Sequence, residues 1–344
     1  MCAALVSAGY QVAATDKRPE AEEAAVACGA IWRDTPAQAA AAAGVLITML
    51  PGPREVHAAM LGEAGALKGL AAGAAWIDMT SNSPAGVRPI REQAIDRGVE
   101  VLEAPVGGGI ADAREGKLQL FVGGAAAAVE KHRALLEVLG DPRRIVHTGG
   151  HGTGYTVKLL VNLLWFGQAV ATAEALLLGQ RAGIDPAVLE HALAGSSAAS
   201  AFIRRDIGLV FQGDYLTSFG LDRICEELEA VTALAGEYQV PWELFDVARR
   251  TYRRALARFG PADGDLLAVS LLDDEAGRKL LSAQLASPSG PAHARPHEKE
   301  MPADGCYAGR GSKARRPHSG LSRPAWPDAA QRIRRPAGGR LRPR

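Results

Sequence analysis

The chain contains 344 residues, of which 47% are hydrophobic and 22% are charged, and its formal net charge is +1. These values exclude a wholly disordered chain and a collagen-like one, and at ~150 residues per domain they predict two domains and a remainder. The four cysteines are scattered, without a Cys-x-x-Cys pair or a histidine cluster at zinc-ligand spacing. Because no signal peptide is recognisable either, we expect a cytoplasmic location and no metal.

The first 150 residues alternate short apolar runs with helical stretches. Strands are predicted at residues 11–15, 44–50, 75–79, 99–102, 118–122 and 144–147, and helices at residues 19–28, 54–60 and 84–97. This alternation predicts an α/β fold with a Rossmann-like, doubly wound parallel sheet. We therefore expect residues 1–150 to form a dinucleotide-binding domain.

The pattern changes after Gly154, where one long apolar helix is predicted at residues 155–183. Further helices are predicted at residues 186–194, 199–210, 221–238, 241–258 and 265–272, so residues 151–286 are expected to form an all-α second domain. The apolar run at residues 159–179 is long enough to cross a membrane. However, Asn162, Gln168 and Glu174 interrupt it and no aromatic belt frames it, which favours a buried helix and no membrane.

Residues 287–344 have a different composition, with 13 Lys and Arg against four Asp and Glu, and with nine prolines. So little apolar surface cannot offset the entropy of ordering the chain, which predicts a disordered basic tail. Its arginines can neutralise phosphates, but only Tyr307 and Trp326 are available to stack on bases, so a nucleic-acid partner is disfavoured. The same composition is also typical of out-of-frame translation of a GC-rich gene.

Asp16 ends the first predicted strand. In dinucleotide-binding units an acidic residue at the end of the second strand accepts hydrogen bonds from the adenosine ribose, and the glycine-rich loop lies ~20 residues earlier. Counting back from Asp16 places that loop before Met1, so we expect a chain truncated inside the first helix, with the first strand of the sheet missing. The alternative is that Asp16 is an ordinary loop aspartate.

A second glycine cluster, Gly150, Gly152 and Gly154, also follows a strand and begins a helix. The third glycine of the dinucleotide fingerprint would fall on Tyr155 or Val157, neither of which allows a helix to pack closely on a strand. No acidic strand end lies ~20 residues further on, so this cluster is not the nucleotide loop.

Four motifs follow predicted strands or begin the long helix, and their order and spacing are specific as a set. They are Met49-Leu50-Pro51, Asp78-Met79-Thr80-Ser81-Asn82-Ser83-Pro84, Glu103-Ala104-Pro105-Val106-Gly107-Gly108-Gly109 and Gly152-Thr-Gly154-Tyr-Thr-Val-Lys158-Leu-Leu-Val-Asn162. In this order they resemble the β-hydroxyacid dehydrogenases, the 3-hydroxyisobutyrate dehydrogenase-like NAD(P)-dependent oxidoreductases, over about residues 1–277. The resemblance implies hydride transfer between a nicotinamide and a small hydroxyacid or oxo compound, and a homo-oligomer, a dimer or tetramer, formed through the helical domain.

Lys158 and Asn162 are the catalytic residues that this resemblance implies. Their i, i+4 spacing puts both side chains on one face of the long helix. A lysine at the mouth of an apolar helix can have its pKa lowered by burial and can then act as a general acid or base. Asn162 can hold the substrate oxygen by a hydrogen bond. The alternative is a solvated lysine at a helix start beside a buried asparagine.

The resemblance also implies binding residues. The backbone N–H groups of Gly108 and Gly109 are expected to bind a substrate carboxylate, whereas Leu50, Pro51 and Ser81 are expected to lie along the cofactor. A carboxylate at Asp16 repels a 2′-phosphate and favours NAD over NADP. Lys17 and Arg18 beside it keep NADP possible.

Two positions depart from the family pattern. Gly107 stands where the family usually has a serine that helps to bind the substrate carboxylate. Glu226 stands where the family has a lysine at the border of the active site, and this charge reversal favours a cationic or neutral substrate unless Glu226 lies on a solvated face. An imine reductase of the same architecture and a non-catalytic dimeric scaffold with a basic tail remain the alternative functions.

Overall fold

The computed structural model describes residues 1–216, 219–277 and 279–280, within the first of two units that span residues 1–288 and 289–344. The tail predicted at residues 287–344 lies outside the described residues, and so does the nucleic-acid alternative that rests on it.

Short strands and helices alternate through the first half of the chain. The strands are β1 (Ala13–Ala14), β2 (Ile31–Trp32), β3 (Val45–Thr48), β4 (Ala75–Asp78), β5 (Glu100–Glu103), β6 (Val106–Gly107), β7 (Leu118–Gly123) and β8 (Gly140–Gly149). The helices between them are α1 (Cys2–Ser7), α2 (Glu20–Ala27), α3 (Pro36–Ala40), α4 (Pro53–Leu61), α5 (Pro84–Asp96), α6 (Ile110–Glu115), α7 (Ala126–Lys131) and α8 (Arg133–Leu139), with a 3₁₀ turn at Ala66–Lys68. Each predicted strand has a counterpart, whereas β2, α3 and the segments from β6 to α6 and from α7 to α8 were not predicted.

The strands form two sheets. A two-stranded parallel sheet joins β1 to β2, and a six-stranded sheet has the order β3-β4-β5-β7-β6, with β8 also paired to β7. Pairing is parallel from β3 to β5 and between β7 and β8, but β7 runs antiparallel to β5 and β6. The ten residues between β6 and β7 are too few for a parallel crossover, which needs a dozen or more. The predicted doubly wound α/β class is confirmed, with this antiparallel departure inside the sheet.

Helices cover both faces of strand β4, all four residues of which are buried. Trp76 packs on one face against Val56 and Met60 of α4, and Ile77 packs on the other face in the core that contains Leu136 of α8. Successive side chains of a strand point to opposite faces. The apolar run at residues 75–77 of β4 is therefore typical of a sheet that is buried on both sides.

The second half is entirely helical in its described part, apart from one isolated bridge. Its helices are α9 (Thr153–Arg181), α10 (Pro186–Ala194), α11 (Ala201–Arg205), α12 (Ile207–Gln212), α13 (Leu221–Glu237), α14 (Leu244–Phe259) and α15 (Leu267–Ala276). The single helix predicted at residues 199–210 is wrong, because the chain breaks at Asp206, whose carboxylate accepts a hydrogen bond of 2.9 Å from Trp165 Nε1.

Helix α9 contributes to two hydrophobic cores of the helical half. Leu163 and Phe166 pack in one core with α13 and α14, whereas Ala173 and Leu176 pack in the other with α11 and α12. Among the described residues α9 is the one helix long and apolar enough to cross a bilayer, and 44% of its most apolar window is buried inside the protein. Because α9 packs in two cores, apolar residues are needed on more than one of its faces, which explains why the helix is apolar over most of its length.

Asp273 of α15 is a buried carboxyl group that makes the stability of the helical half depend on pH. The residue is 2% exposed, its Oδ1 has no hydrogen-bond partner among the described residues, and burial raises its pKa from 3.8 to about 6. A group with a higher pKa in the folded state stabilises the fold when protonated, so stability is lost as the pH rises from about 4 to about 6. Relative to Asp273→Asn, the wild type should lose up to about 3 kcal/mol of unfolding free energy between pH 4 and pH 7.5.

Urea unfolding of both proteins at the two pH values measures this difference. The variant Asp274→Asn at the neighbouring position is the control. A hydrogen bond from Lys279 lowers the pKa of Asp274, so the contribution of this group to stability is lost as the pH falls rather than as it rises. Equal pH dependence of the wild type and Asp273→Asn would contradict the assignment.

Candidate active site

The start of α9 is fastened to the sheet by Glu103, the last residue of β5. Its buried carboxylate accepts hydrogen bonds from the backbone N–H of Gly152 and from those of Gly154 and Tyr155, which satisfy donors that a helix start leaves free. Burial raises the pKa of Glu103, and these N–H groups oppose that rise. The carboxylate therefore caps the helix that carries the predicted catalytic residues.

Gly154 lets α9 approach β7 closely. A Cβ at this position would lie 2.6 Å from the carbonyl oxygen of Phe121 and 3.0 Å from the amide nitrogen of Gly123. Gly154 therefore allows helix α9 to pack against the backbone of β7.

A buried polar network lies beneath the same helix start. Asp78, at the end of β4, accepts hydrogen bonds of 2.8 Å from Thr48 Oγ1 and from the Tyr155 hydroxyl, and one of 3.1 Å from the Thr80 backbone. Burial raises the pKa of Asp78, and these donors oppose that rise. Since Tyr155 precedes Lys158 by one turn, the network links the ends of β3 and β4 to the position of the lysine.

Lys158 and Asn162 lie side by side on α9, as their spacing predicts. Lys158 Nζ donates a hydrogen bond of 2.9 Å to Asn162 Oδ1, and Asn162 Nδ2 donates one of 2.6 Å to Glu227 Oε2 on α13. Burial lowers the pKa of Lys158, and the Glu227 carboxylate partly opposes this. The lysine is therefore easier to deprotonate than a lysine in water, while a carboxylate remains near it.

Glu227 is the site residue that the sequence reasoning missed. Burial raises its pKa, whereas Lys158 and hydrogen bonds from Asn162 and Ser81 lower it. The sequence contains a pattern that could have indicated a buried Glu227. Ile224, Glu227 and Val231 follow the i+3, i+4 spacing of the buried face of α13.

Glu226 contacts α4, whereas Glu227 contacts Asn162 of α9. Glu226 Oε1 accepts a hydrogen bond of 2.6 Å from Arg54 on α4, and its Oε2 accepts one of 3.0 Å from Arg223. Arg223 also donates one of 2.7 Å to Glu55 of α4. Glu226 is therefore neither unpaired nor on an isolated solvated face, and its ion pairs join α13 to α4.

A small cleft lies where the ends of β3 and β4 face α13. The loop after β3 and the start of α4 contribute residues 51–53, and the turn after β4 contributes residues 81–83. Helix α9 contributes Leu159, and α13 with the residue shortly before it contributes Phe219, Arg223, Glu226, Glu227 and Ala230. The ionisable lining residues are Arg223, Glu226 and Glu227. Lys158 and Asn162 adjoin the cleft through Glu227, and Leu50 lies behind it, where its N–H donates a hydrogen bond of 3.1 Å to Thr80 Oγ1.

The predicted binding residues Gly107, Gly108 and Gly109 are not among the residues that line this cleft. Gly107 belongs to β6, Gly108 has a positive φ of 114°, and Gly109 precedes α6. The Gly109 N–H already donates a hydrogen bond of 2.7 Å to Asp112 Oδ2, so this donor is used within the loop.

Asp16 follows β1 and is held by Arg18. Both of its carboxylate oxygens accept hydrogen bonds from the Arg18 guanidinium, at 3.0 and 3.1 Å, and the hydrogen bond lowers the pKa of Asp16. The carboxylate is therefore ionised at neutral pH, with an arginine beside it.

Fold and site together define an α/β ligand-binding protein with a helical second half. The site lies at the carboxyl ends of parallel strands, where open α/β sheets bind their ligands, and a half-buried lysine stands at its edge.

Comparison with known proteins identifies the family. Residues 1–150 match the profile of the NAD binding domain of 6-phosphogluconate dehydrogenase, and residues 152–272 match the NAD-binding profile of NADP-dependent 3-hydroxyisobutyrate dehydrogenase. The chain is 38% identical over 200 residues to 3-hydroxyisobutyrate dehydrogenase of Pseudomonas aeruginosa, spanning 58% of this chain and 66% of that protein. It is 30% identical over 266 residues to 2-(hydroxymethyl)glutarate dehydrogenase of Eubacterium barkeri, and this match spans 77% of this chain and 87% of that protein. The protein belongs to the 3-hydroxyisobutyrate dehydrogenase-like family of β-hydroxyacid dehydrogenases, which confirms the resemblance.

Solved structures agree with the fold. A 3-hydroxyisobutyrate dehydrogenase of Mycobacterium tuberculosis, solved with L-serine, has a TM-score of 0.69 at 24% identity, covering 78% of this chain and 94% of that one. A second, from Salmonella typhimurium, has a TM-score of 0.70 at 22% identity, with the same coverage of both chains.

Proposed function

We propose that this protein transfers hydride between a nicotinamide and a small hydroxy compound or its oxo counterpart, with Lys158 as the general acid and base. The contact that carries the proposal is the hydrogen bond of 2.9 Å from Lys158 Nζ to Asn162 Oδ1, made where burial lowers the pKa of the lysine. A lysine with a lowered pKa exchanges protons near neutral pH more readily than an ordinary one.

Each group has a separate part in this chemistry. Lys158 takes the hydroxyl proton when an alcohol is oxidised and returns it when a carbonyl is reduced. Asn162 holds the lysine nitrogen through Oδ1, and Glu227 fixes the amide because it accepts from Nδ2. Asp78 and Tyr155 hold the first turn of α9, which keeps Lys158 in register with the strand ends.

The residues present fit a nicotinamide cofactor at the strand ends. Pro51 supplies an apolar surface and Ser81 a hydroxyl to the same cleft. Gly52 lies close to Arg223, since a Cβ there would be 3.0 Å from Arg223 Nη1. Leu50, Pro51 and Ser81 would hold the nicotinamide half, and Asp16 the adenosine ribose. When bound, this cofactor supplies the hydride acceptor or donor.

The test of the proposal is a spectrophotometric assay of nicotinamide reduction and oxidation with short hydroxyacids, alcohols and their oxo counterparts. Turnover of at least one compound is expected with NAD or NADP. An absence of turnover across the series, with cofactor bound, would contradict the proposed function.

We further propose that Asp16 selects NAD. Its ionised carboxylate repels a 2′-phosphate and also holds Arg18, a cation able to bind that phosphate. Asp16→Asn removes the repulsion and releases Arg18, so the ratio of kcat/KM for NAD to that for NADP should fall about tenfold or more, as expected for one charged hydrogen bond. Steady-state kinetics with both cofactors measures the ratio.

The double variant Asp16→Asn with Arg18→Ala is the control. Because it lacks the arginine that would bind the 2′-phosphate, it should lose most of the increase in kcat/KM for NADP. A wild type that already prefers NADP would mean that Lys17 and Arg18 dominate over Asp16.

We also propose that the two halves of the chain have different functions. Residues 1–150 would hold the cofactor, and residues 151–286 would bind substrate and dimerise. Helix α9 supports a homo-oligomer, because Leu160, Val161 and Leu164 form an exposed apolar stripe outside both of its cores. A cytoplasmic location is supported by Cys2, Cys28 and Cys225, the described cysteines, which are all free thiols.

A further inference from the structure

An ion-pair cluster of four residues joins the first turn of α4 to α13. Glu226 accepts hydrogen bonds of 2.6 Å from Arg54 and 3.0 Å from Arg223. Arg223 also donates one of 2.7 Å to Glu55. Opposite charges alternate along these contacts, and the two arginines balance the two glutamates. The charge reversal at position 226 is therefore compensated within the cluster and does not add an unpaired negative charge to the cleft.

The ion-pair cluster lies against the loop after β3. Arg54 and Glu55 closely follow residues 50–52, the segment that contains Leu50 and Pro51 of the proposed cofactor site. A Cβ built on the buried Gly52 would lie 3.0 Å from Arg223 Nη1 and 3.5 Å from Glu55 Oε2. The guanidinium and the carboxylate therefore rest against the backbone of this loop, and a movement of α4 away from α13 would carry the loop with it.

The same turn of α13 also contacts the pair formed by Lys158 and Asn162. Glu227, the residue after Glu226, accepts a hydrogen bond of 2.6 Å from Asn162 Nδ2. Asn162 Oδ1 in turn accepts one of 2.9 Å from Lys158. One turn of α13 thus holds the loop after β3 on one side and the lysine on the other. The position of α4 on this turn therefore sets how the loop lies relative to Lys158.

The two halves of the ion-pair cluster differ in exposure. The side chains of Arg223 and Glu55 are 18% and 19% exposed, whereas those of Arg54 and Glu226 are 68% and 41% exposed. Burial works to raise the pKa of Glu55, but the hydrogen bond from Arg223 lowers it below its ordinary value, so this carboxylate is ionised at neutral pH. Salt screens exposed ion pairs more than half-buried ones. The contact between Arg54 and Glu226 is therefore the part of the cluster that opens more readily.

We propose that the ion-pair cluster holds the loop of residues 50–52 against α13 and so positions the nicotinamide half of the cofactor relative to Lys158. This inference rests on the proposed function, because it is the cofactor that is positioned. It gives a role to the departure at position 226, since a lysine there would repel both arginines of the cluster. The members of the cluster act on the cofactor through the loop and are positioning residues: Arg54, Glu55, Arg223 and Glu226.

Loosening the ion-pair cluster should weaken cofactor binding without removing proton transfer. In the full chain, Glu226→Gln should raise both the KM for the cofactor and the rate of NADH dissociation about tenfold, because it weakens two charged hydrogen bonds. The value of kcat should not fall, because Lys158 keeps its contacts. Steady-state kinetics and stopped-flow fluorescence of NADH measure these quantities. An unchanged KM and dissociation rate would overturn the inference, and so would a fall in kcat alone.

A double-variant cycle assigns the effect to the contact between the helices. Arg54→Met should raise the NADH dissociation rate about threefold, as expected for an exposed ion pair, whereas Arg54→Lys, which keeps the charge, should retain most of the wild-type value. Adding Arg54→Met to Glu226→Gln should change the rate little further, because the contact is already weakened. Fully additive effects would overturn the inference.

Arg133→Met is the matched control. Arg133 also forms an exposed ion pair, with a hydrogen bond of 2.7 Å to Glu137, but both residues belong to α8 and neither lines the cleft. The KM for the cofactor and the NADH dissociation rate should stay at their wild-type values. An increase equal to that of Arg54→Met would show that the effect does not arise at the cleft and would overturn the inference.

Hydrogen exchange without cofactor separates this inference from the proposed function. The Val56 N–H donates a hydrogen bond of 3.1 Å to the Gly52 carbonyl oxygen at the start of α4. Exchange of the backbone amides in residues 50–56, followed by mass spectrometry, should be about threefold faster in Glu226→Gln than in the wild type. Faster exchange in a protein that binds no cofactor would support the hold on the loop and contradict the proposed function alone. Equal exchange in the two proteins would overturn the inference.

Discussion

Replacing Lys158 by methionine should lower kcat by ~10²–10⁴-fold, while the affinity for NADH changes little. Methionine keeps much of the length of the side chain but cannot exchange a proton, and Lys158 adjoins the cleft without lining it. Steady-state kinetics with the best substrate and a fluorescence titration with NADH give the two quantities. In the wild type, the pH profile of kcat should show a group with a pKa below the ordinary 10.5 of lysine, because burial lowers it.

Lys117→Met is the matched control. Its ammonium group is on the surface and pairs with the exposed carboxylate of Glu115, so its loss should change neither quantity. Wild-type turnover in Lys158→Met would remove Lys158 from the mechanism.

Gly154→Ala should destabilise the protein by about 3 kcal/mol and reduce turnover as well. The added methyl group would lie 2.6 Å from the carbonyl oxygen of Phe121, and a backbone group of a buried strand cannot move aside as a flexible side chain can. Helix α9 would have to shift from the sheet, which would move Lys158, one turn further along, relative to the strand ends. Thermal unfolding and kcat measure the two effects, with a fall in Tm of ~10 °C expected.

Gly150→Ala is the control from the same loop. A Cβ at Gly150 meets no atom within 4 Å, so both the Tm and kcat should stay close to those of the wild type. Equal Tm values for the two variants would show that close approach of α9 to β7 is not required.

The Lys158 and Asn162 pair was predictable because it is local. Four residues of a helix span about one turn, so their contact needs only that residues 155–183 be helical. The long apolar run made that helix predictable without any knowledge of its neighbours. The capping of Gly109 by Asp112 is equally local, three residues along the chain, and a closer reading of the motif could have found it.

The role of Glu227 was less accessible. Glu226 and Glu227 are adjacent in sequence but ~100° apart around the axis of α13, so they face different helices. One pairs with Arg54, 172 residues earlier, and the other with Asn162, 65 residues earlier. The family pattern pointed to position 226 as the departure, but only packing shows that its charge is paired with α4 and that its neighbour faces the lysine.

The sequence by itself determined the elements whose signal is local: the apolar strands of a sheet covered on both faces, the long helix α9 and the spacing of the residues on it. Periodicity and side-chain size act over a few residues, so they can be read without coordinates. Only the tertiary structure decided which carboxylates meet which cations across the cleft, and that α9 is docked on β7 through Gly154. Those contacts join residues far apart in the chain, and their geometry depends on how the sheet and the helices pack together.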